Sequence, residues 1–148
     1  MKERVRRANQ KTCRFGHPTT DTILISIHVN AAGSDGQWHT ATGWSAYTFP
    51  GHTESDRLAD CLYHRAAEKY LPGRKLRTDF SDGDPDLEEP FYILKHTLIP
   101  AVLTENLFMD NRQDCAFLLS DAGRRAIIAL HVAGIIAYLN AKEPEGFR

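Results

Sequence analysis

Cysteine is scarce in this chain. Cys13, Cys61 and Cys115 are scattered over 148 residues with no CxxC pair, and an odd, dispersed set builds neither a disulfide framework nor a cysteine-ligated metal site. Excess charge of one sign is lacking too, since 18 Lys and Arg face 19 Asp and Glu for a net −1. No basic stripe interleaved with aromatics runs along the chain, so nucleic acid is not an expected partner. The four basic residues before Ala8 lead into no apolar h-region, so no signal peptide is expected here. The apolar run Ala126–Leu139 carries His131 in its middle and falls short of the about 20 residues a membrane span needs. It is expected to be a core helix packed on a sheet, not a membrane span.

What is present is an ordinary globular balance, 42% hydrophobic and 25% charged, in a length that suits one domain with a sizeable core. A single domain over 1–148 is expected, with a polar tail at 141–148. The stretch Ile23–Asn30 is β-branched and almost wholly apolar, bounded by Thr19-Thr20-Asp21 and by Gly33-Ser34-Asp35-Gly36. Such a run reads as a central strand buried on both faces. In open α/β sheets ligands gather beyond the carboxyl ends of the strands, which is where His28 emerges. A second apolar run, Ile99–Thr104, delivers Glu105 in the same way. One strand ending in His and another in Glu suits metal-assisted hydrolysis.

The remaining elements follow from local pattern. Met1–Cys13 reads as a short charged helix with Val5, Ala8 and Thr12 inward, and Arg14–Asp21 as a loop. Ala41–Phe49 has strand composition and is closed by Pro50-Gly51. Thr53, with Asp56 three residues on, opens a helix as a weak capping box. Leu58, Leu62, Ala66 and Tyr70 mark the buried face of that helix, and Pro72-Gly73 ends it. The acidic segment Arg74–Pro90 reads as a solvated loop near the substrate groove. Its Asp82-Gly83-Asp84-Pro85-Asp86 core fails the EF-hand pattern, because the twelfth position from Asp82 is Ile93. Phe91–Leu94 and Ile99–Thr104 are expected as short strands, Asn111–Leu119 as a helix capped by Asn111, and Asp121–Asn140 as a longer helix.

Two of these stretches resemble the type 3 catalytic family of zinc-dependent N-acetylmuramoyl-L-alanine amidases, which cut bacterial peptidoglycan. Ser26-Ile27-His28-Val29-Asn30-Ala31 is similar to that family's "SIHxNA" element. Pro100 through Asn111 (PAVLTENLFMDN) is similar to its "PAxLxExxFxxN" element. Gly43-Trp44-Ser45-Ala46-Tyr47-Thr48, Ser55-Asp56-Arg57-Leu58-Ala59 and Phe91-Tyr92-Ile93-Leu94-Lys95 resemble the intervening segments, in order. The resemblance implies an open mixed, mostly parallel sheet with helices on both faces. It implies Zn2+ as cofactor, His28 as a zinc ligand and Glu105 as catalytic acid/base. It also implies an earlier His and Glu, on a "DPGHGG" turn and the first helix, and neither element precedes Met1. Arg4-Val5-Arg6-Arg7-Ala8-Asn9 resembles the family's second helix, so the expectation is a domain lacking its first strand and helix.

From the residues themselves, Glu105 at the end of so apolar a run is partly desolvated, which raises its pKa toward a general base. His39, downstream of His28, is a candidate for substrate contact, as is Asn30, although Asn30 and Asn106 read more naturally as fixing loop geometry. His131 reads as a satisfied core histidine, and His17, His52, His64 and His96 as surface residues. Two other readings stand beside the amidase: a catalytically inactive remnant that binds wall fragments, and a zinc exopeptidase of related architecture. The chain alone is expected to bind zinc weakly, to leave peptidoglycan uncut and to self-associate through an exposed sheet edge. The implied substrate places its action in the periplasm or cell wall, or in a phage lysin.

Overall fold

The structure, a computed structural model, describes residues 1–14 and 22–142, without the side chains of residues 11–14 and 142. The expected inward Thr12 side chain, most of the 14–21 loop, His17 and residues 143–148 of the expected tail lie outside the described residues. The elements are α1 (Lys2–Arg14), β1 (Leu24–Asn30), β2 (Trp44–Thr48), α2 (Glu54–Arg65) with a π-helical turn (Ala66–Tyr70), β3 (Leu87–Glu88), α3 (Tyr92–His96), β4 (Ala101–Phe108), α4 (Arg112–Leu119) and α5 (Asp121–Lys142). One sheet runs β1-β4-β2-β3. The β1–β4 and β2–β3 pairs are parallel and β2–β4 is antiparallel, so the sheet is open, mixed and mostly parallel as expected.

Strand alternation divides the core in two. Val102 of β4 and Trp44 and Ala46 of β2 pack with Leu58, Ala59 and Leu62 of α2 and with Leu130 and Tyr138 of α5. Ala101 and Leu103, one step along β4, turn to the opposite face and meet Val5 of α1 and Ile93 and Leu94 of α3. Helices therefore cover both faces. Each fully buried large aliphatic among these contributes about 1.5–3 kcal/mol.

Helix α2 starts where the sequence places it. The Thr53 side chain accepts from Ser55 N, and the Asp56 side chain accepts from Thr53 N, closing the capping box. Leu58, Leu62 and Ala66 are fully buried along one face. Helix α5 rides close over that face because residue 134 is glycine. A Cβ there would lie 2.5 Å from Leu62 Cδ2 and 3.2 Å from the Leu62 backbone.

Four readings of the sequence are corrected. The run Ile23–Asn30 does not form a central strand buried on both faces: β1 ends the described sheet order and none of its residues is fully buried, with Ile27 and Val29 exposed on one face. Phe91–Leu94 is not a strand; it enters α3, whose Ile93 and Leu94 are both buried against the same apolar cluster. Neighbouring residues bury together in this way on a helix, whereas a strand would turn them apart. Asn9 of α1 holds the end of α3 by donating to His96 O (3.0 Å) and accepting from Leu98 N (3.0 Å).

Helix α5 is 22 residues long, so shortness does not exclude a membrane span. Asp121–Ala141 is long and apolar enough to cross a membrane. One side of it does pack on α2, but Ile128, Val132, Ile136 and Leu139 form an exposed apolar stripe.

The acidic segment is only partly solvated. Asp86 is 1% exposed, with Thr48 Oγ1 donating to its Oδ2 at 2.5 Å. Burial, together with Asp84 and Asp56 beside it, pushes its carboxyl up to about 8.

Candidate functional site

His28 and Glu105 face each other directly across the parallel β1–β4 pair, on strands about 4.8 Å apart. Residues paired in register share a face, so both side chains leave the same side of the sheet at its carboxyl end. On the other flank of β4, Ser45 of β2 pairs with Glu105. Glu105 is half-buried, and burial pushes its carboxyl above the ordinary range. Its Oε2 and the Ser45 Oγ are both buried and, among the described residues, neither has a hydrogen-bond partner. A desolvated carboxylate oxygen with no partner is a proton acceptor in search of a donor.

The His28 ring is oriented within its own strand, with Nε2 2.9 Å from Ser26 Oγ. With Ser26 accepting, the lone pair falls on Nδ1. The main chain beneath His28 is held by Asn106, which is 1% exposed. Its Nδ2 donates to His28 O (2.8 Å) and to Thr104 Oγ1 (3.2 Å), while its Oδ1 accepts from Trp44 Nε1 (2.8 Å). One amide thus ties β1, β4 and β2 together immediately beside Glu105.

Beyond that point β4 carries one residue more than β1, since His28 pairs with Glu105 but Asn30 with Phe108. The extra residue is taken up at Leu107, whose φ is +66°. Leucine in the left-handed region costs roughly 1–3 kcal/mol, and such bulges and strained residues cluster at functional sites. Sequence reasoning missed it, because neither a glycine nor a turn motif marks position 107.

The loop after β1 is anchored to the turn after β4. Asp110 Oδ2 accepts from Ala32 N (2.7 Å) and Gly33 N (3.0 Å), and Asn30 O accepts from Met109 N (2.8 Å). Asn30 Oδ1 accepts from Ala31 N at 2.8 Å, the loop-fixing contact expected of it. The His39 ring is held within its own loop by Asp35 Oδ1, 2.9 Å from Nε2, and its backbone N donates to Asp110 O. None of these His39 contacts is to His28 or Glu105. Below the loop, buried Asp114 of α4 accepts from Thr42 Oγ1 (2.7 Å) and Phe108 N (3.2 Å) and pairs with Arg74 at 3.4 Å. His131 is the core histidine expected, placed between Thr104 Oγ1 (2.9 Å) and Ile127 O (2.7 Å).

Among the described residues, His28 belongs to no group of three His, Cys, Asp or Glu side chains able to share an ion. The one such group is His52, Asp56 and Asp84. It lies toward the other end of the sheet, where Thr48 meets Asp86, whereas Glu105 pairs with Ser45. At roughly 3.3 Å per residue, Ser45 and Thr48 are about 10 Å apart.

The chain is 33% identical over 126 residues to an endolysin of Bacillus phage SPP1, a match covering 84% of this chain and 42% of that protein. It is 31% identical over 117 residues to the N-acetylmuramoyl-L-alanine amidase CwlM of Bacillus licheniformis, covering 79% of this chain and 40% of that one. The chain therefore spans about two-fifths of the length of these relatives. Among solved structures, an N-acetylmuramoyl-L-alanine amidase from Clostridium difficile 630 superposes with a TM-score of 0.74 at 22% identity, over 96% of this chain and 66% of that one. The amidase AmiC2 of Nostoc punctiforme gives a TM-score of 0.70 at 21% identity, over 95% of this chain and 66% of that one. These likenesses show the shared fold. The profile of the family described as N-acetylmuramoyl-L-alanine amidase matches residues 1–137, and the chain belongs to that family.

Proposed function

We propose that this chain carries the base-bearing part of a site that hydrolyses the amide between N-acetylmuramic acid and L-alanine in peptidoglycan. The observation that carries the reading is Glu105: half-buried, with one buried oxygen lacking any partner among the described residues, and set in register with His28. Membership of the family, and relatives named as an endolysin and an amidase, supply the substrate class. In this reading Glu105 removes a proton from the water attacking the lactyl carbonyl. The same proton then passes to the leaving amine of L-alanine. Asn106 acts as a positioning residue, holding the His28 main chain against β4. Asn30 and His39 lie on the loop that would border the substrate. Action on this substrate means action at the cell wall.

Zn2+ is the cofactor the family resemblance implies, and when bound it would polarise the carbonyl and acidify water. A catalytic zinc takes three protein ligands. His28 offers one, and the described residues bring no trio to it. They do not by themselves hold a catalytic zinc. That observation favours the second reading, a binder of wall fragments without catalysis. In either case the outer edge of β1, which no strand among the described residues covers, would pair with the same edge of a second copy. An open seven-residue strand is self-complementary when two copies meet antiparallel.

The test incubates the chain with purified walls, with and without added Zn2+, and measures newly freed L-alanine amines. On the amidase reading the expected result is release that Glu105→Gln and His28→Ala each abolish. Unchanged release by Glu105→Gln would overturn the role of Glu105. Retention on walls without release would establish the binding reading, and neither release nor retention would sink both.

A further inference from the structure

His52, Asp56 and Asp84 come from three separate segments. His52 follows β2 in the Pro50-Gly51-His52 loop, Asp56 is the capping-box residue in the first turn of α2, and Asp84 belongs to the loop before β3. Each offers one ligand atom, and all of these atoms lie within 4.8 Å of one another. An ion bound at 2.0–2.2 Å places opposite ligands at most about 4.4 Å apart, so side-chain shifts of a few tenths of an ångström bring the three atoms into a coordination shell.

An acidic cluster alone would mean little, but what lies behind this one is informative. Asp86 is 99% buried, and Thr48 satisfies only its Oδ2; its Oδ1 has no partner among the described residues. The neighbours bearing on that carboxylate are Asp84 and Asp56. The buried Asp84 Oδ1 is likewise without a partner. Asp60 adds a further carboxylate close to Asp56 and Asp84. No ion pair reaches any of these four carboxylates among the described residues. Thr53 serves Asp56 and Thr48 serves one oxygen of Asp86, but the buried Oδ1 atoms of Asp84 and Asp86 have no donor among the described residues, and a buried carboxylate oxygen left so carries a cost.

We propose that His52, Asp56 and Asp84 form a binding site for a divalent cation of the Zn2+ or Mn2+ class, with the buried Asp86 carboxyl behind them. Imidazole is a poor partner for Ca2+ and Mg2+, which prefer all-oxygen shells, and a common one for transition ions. The site is independent of His28 and Glu105, at the other end of the sheet. Its role is structural. One ion would tie the loop after β2, the start of α2 and the acidic loop that precedes the two-residue strand β3.

The experiment uses the full chain, stripped with chelator and then titrated with Zn2+, Mn2+ or Ca2+, reading thermal unfolding and calorimetric binding. The parent and His28→Ala are run together, so that an ion at His28 does not register as one here. The expected result is a Tm rise of several degrees with Zn2+ or Mn2+ in both proteins. The affinity should fall at least tenfold in His52→Ala, an exposed position whose loss leaves the fold intact, and further in Asp84→Asn. Pulsed EPR of the Mn2+-loaded His28→Ala protein should show coupling to an imidazole nitrogen that His52→Ala removes. If no ion shifts Tm, or if His52→Ala binds as tightly as the parent, the site is refuted. Binding of Ca2+ as tight as that of Mn2+ would refute the choice of ion. Since none of these readouts is wall cleavage, failure of the amidase reading leaves this result standing, and the reverse.

Discussion

The two ends of the sheet bury carboxylates in opposite ways. At the carboxyl end of β4, Glu105 is alone: desolvation is the only cause of its raised pKa, and its register partners are a histidine and a serine. At the far end, Asp56, Asp84 and Asp86 are buried or half-buried against one another. A single carboxylate in a half-apolar site becomes a better base and keeps its freedom to take a proton. Several together are relieved by a proton, as the raised Asp86 carboxyl shows, or by a counter-charge. Burial alone does not identify function; the company a buried group keeps does. His131, on the helix face between the two ends, is the neutral control, with both ring nitrogens occupied.

The largest expected effect separates chemistry from architecture at the Glu105 end. Glu105→Gln keeps the shape but cannot take the proton, so amide cleavage should fall by about 10²–10⁴-fold. Its urea midpoint should match or exceed the parent's, since a neutral amide has no charge to desolvate. A variant equally active, or one that unfolds, would erase the contrast between the two ends.

Next in size is the support beneath that end. Asp114→Ala strands the Thr42 hydroxyl, Phe108 N and Arg74 together and should cost about 3 kcal/mol in denaturant unfolding. A smaller loss is expected at the helix layer both ends share. Gly134→Ala sets a methyl against Leu62 and should cost about 1–3 kcal/mol.

The smallest effect concerns the control. Burial holds His131 below its ordinary 6.5, so the folded state keeps it neutral while the unfolded chain takes up a proton. Its contribution is present above about 6.5 and is lost as pH falls through the lowered folded value. Stability of His131→Gln should therefore fall less steeply over that acidic range than the parent's, read as urea midpoints against pH. Identical slopes would show that His131 does not act as a buried neutral group.

Much of the Glu105 end is legible in the chain because it rests on short-range pattern. Two apolar runs place β1 and β4, and the residues that end the runs, His28 and Glu105, meet across them. The Thr53–Asp56 capping box and the Asn111 cap are equally local. The opposite end is illegible because its parts are scattered: His52, Asp56, Asp84 and Asp86 carry no shared spacing, and the EF-hand template is the wrong one to apply. The Asp110 clamp spans 78 positions to Ala32 and has no local signature. Helix α3 misleads because Phe-Tyr-Ile-Leu has strand composition, and its helical state is decided by packing against α1. The exposed stripe on α5 misleads for the converse reason. Apolar content says that a face seeks cover, not that this chain supplies it.

The supernumerary residue at Leu107 works as a phase shifter. Side chains on a strand alternate in and out, so one added position reverses the sense of everything that follows. Asp110 reaches the Ala32 and Gly33 amides only because β4 is half a period longer than β1. Deleting residue 107, or grafting a regular strand in its place, would leave Glu105 where it is and turn Asp110 away. The loop that begins at Ala31 would then come loose from a strand that is otherwise unchanged. Any redesign of this sheet that regularises β4 to relieve strain would detune the groove before it touched the base.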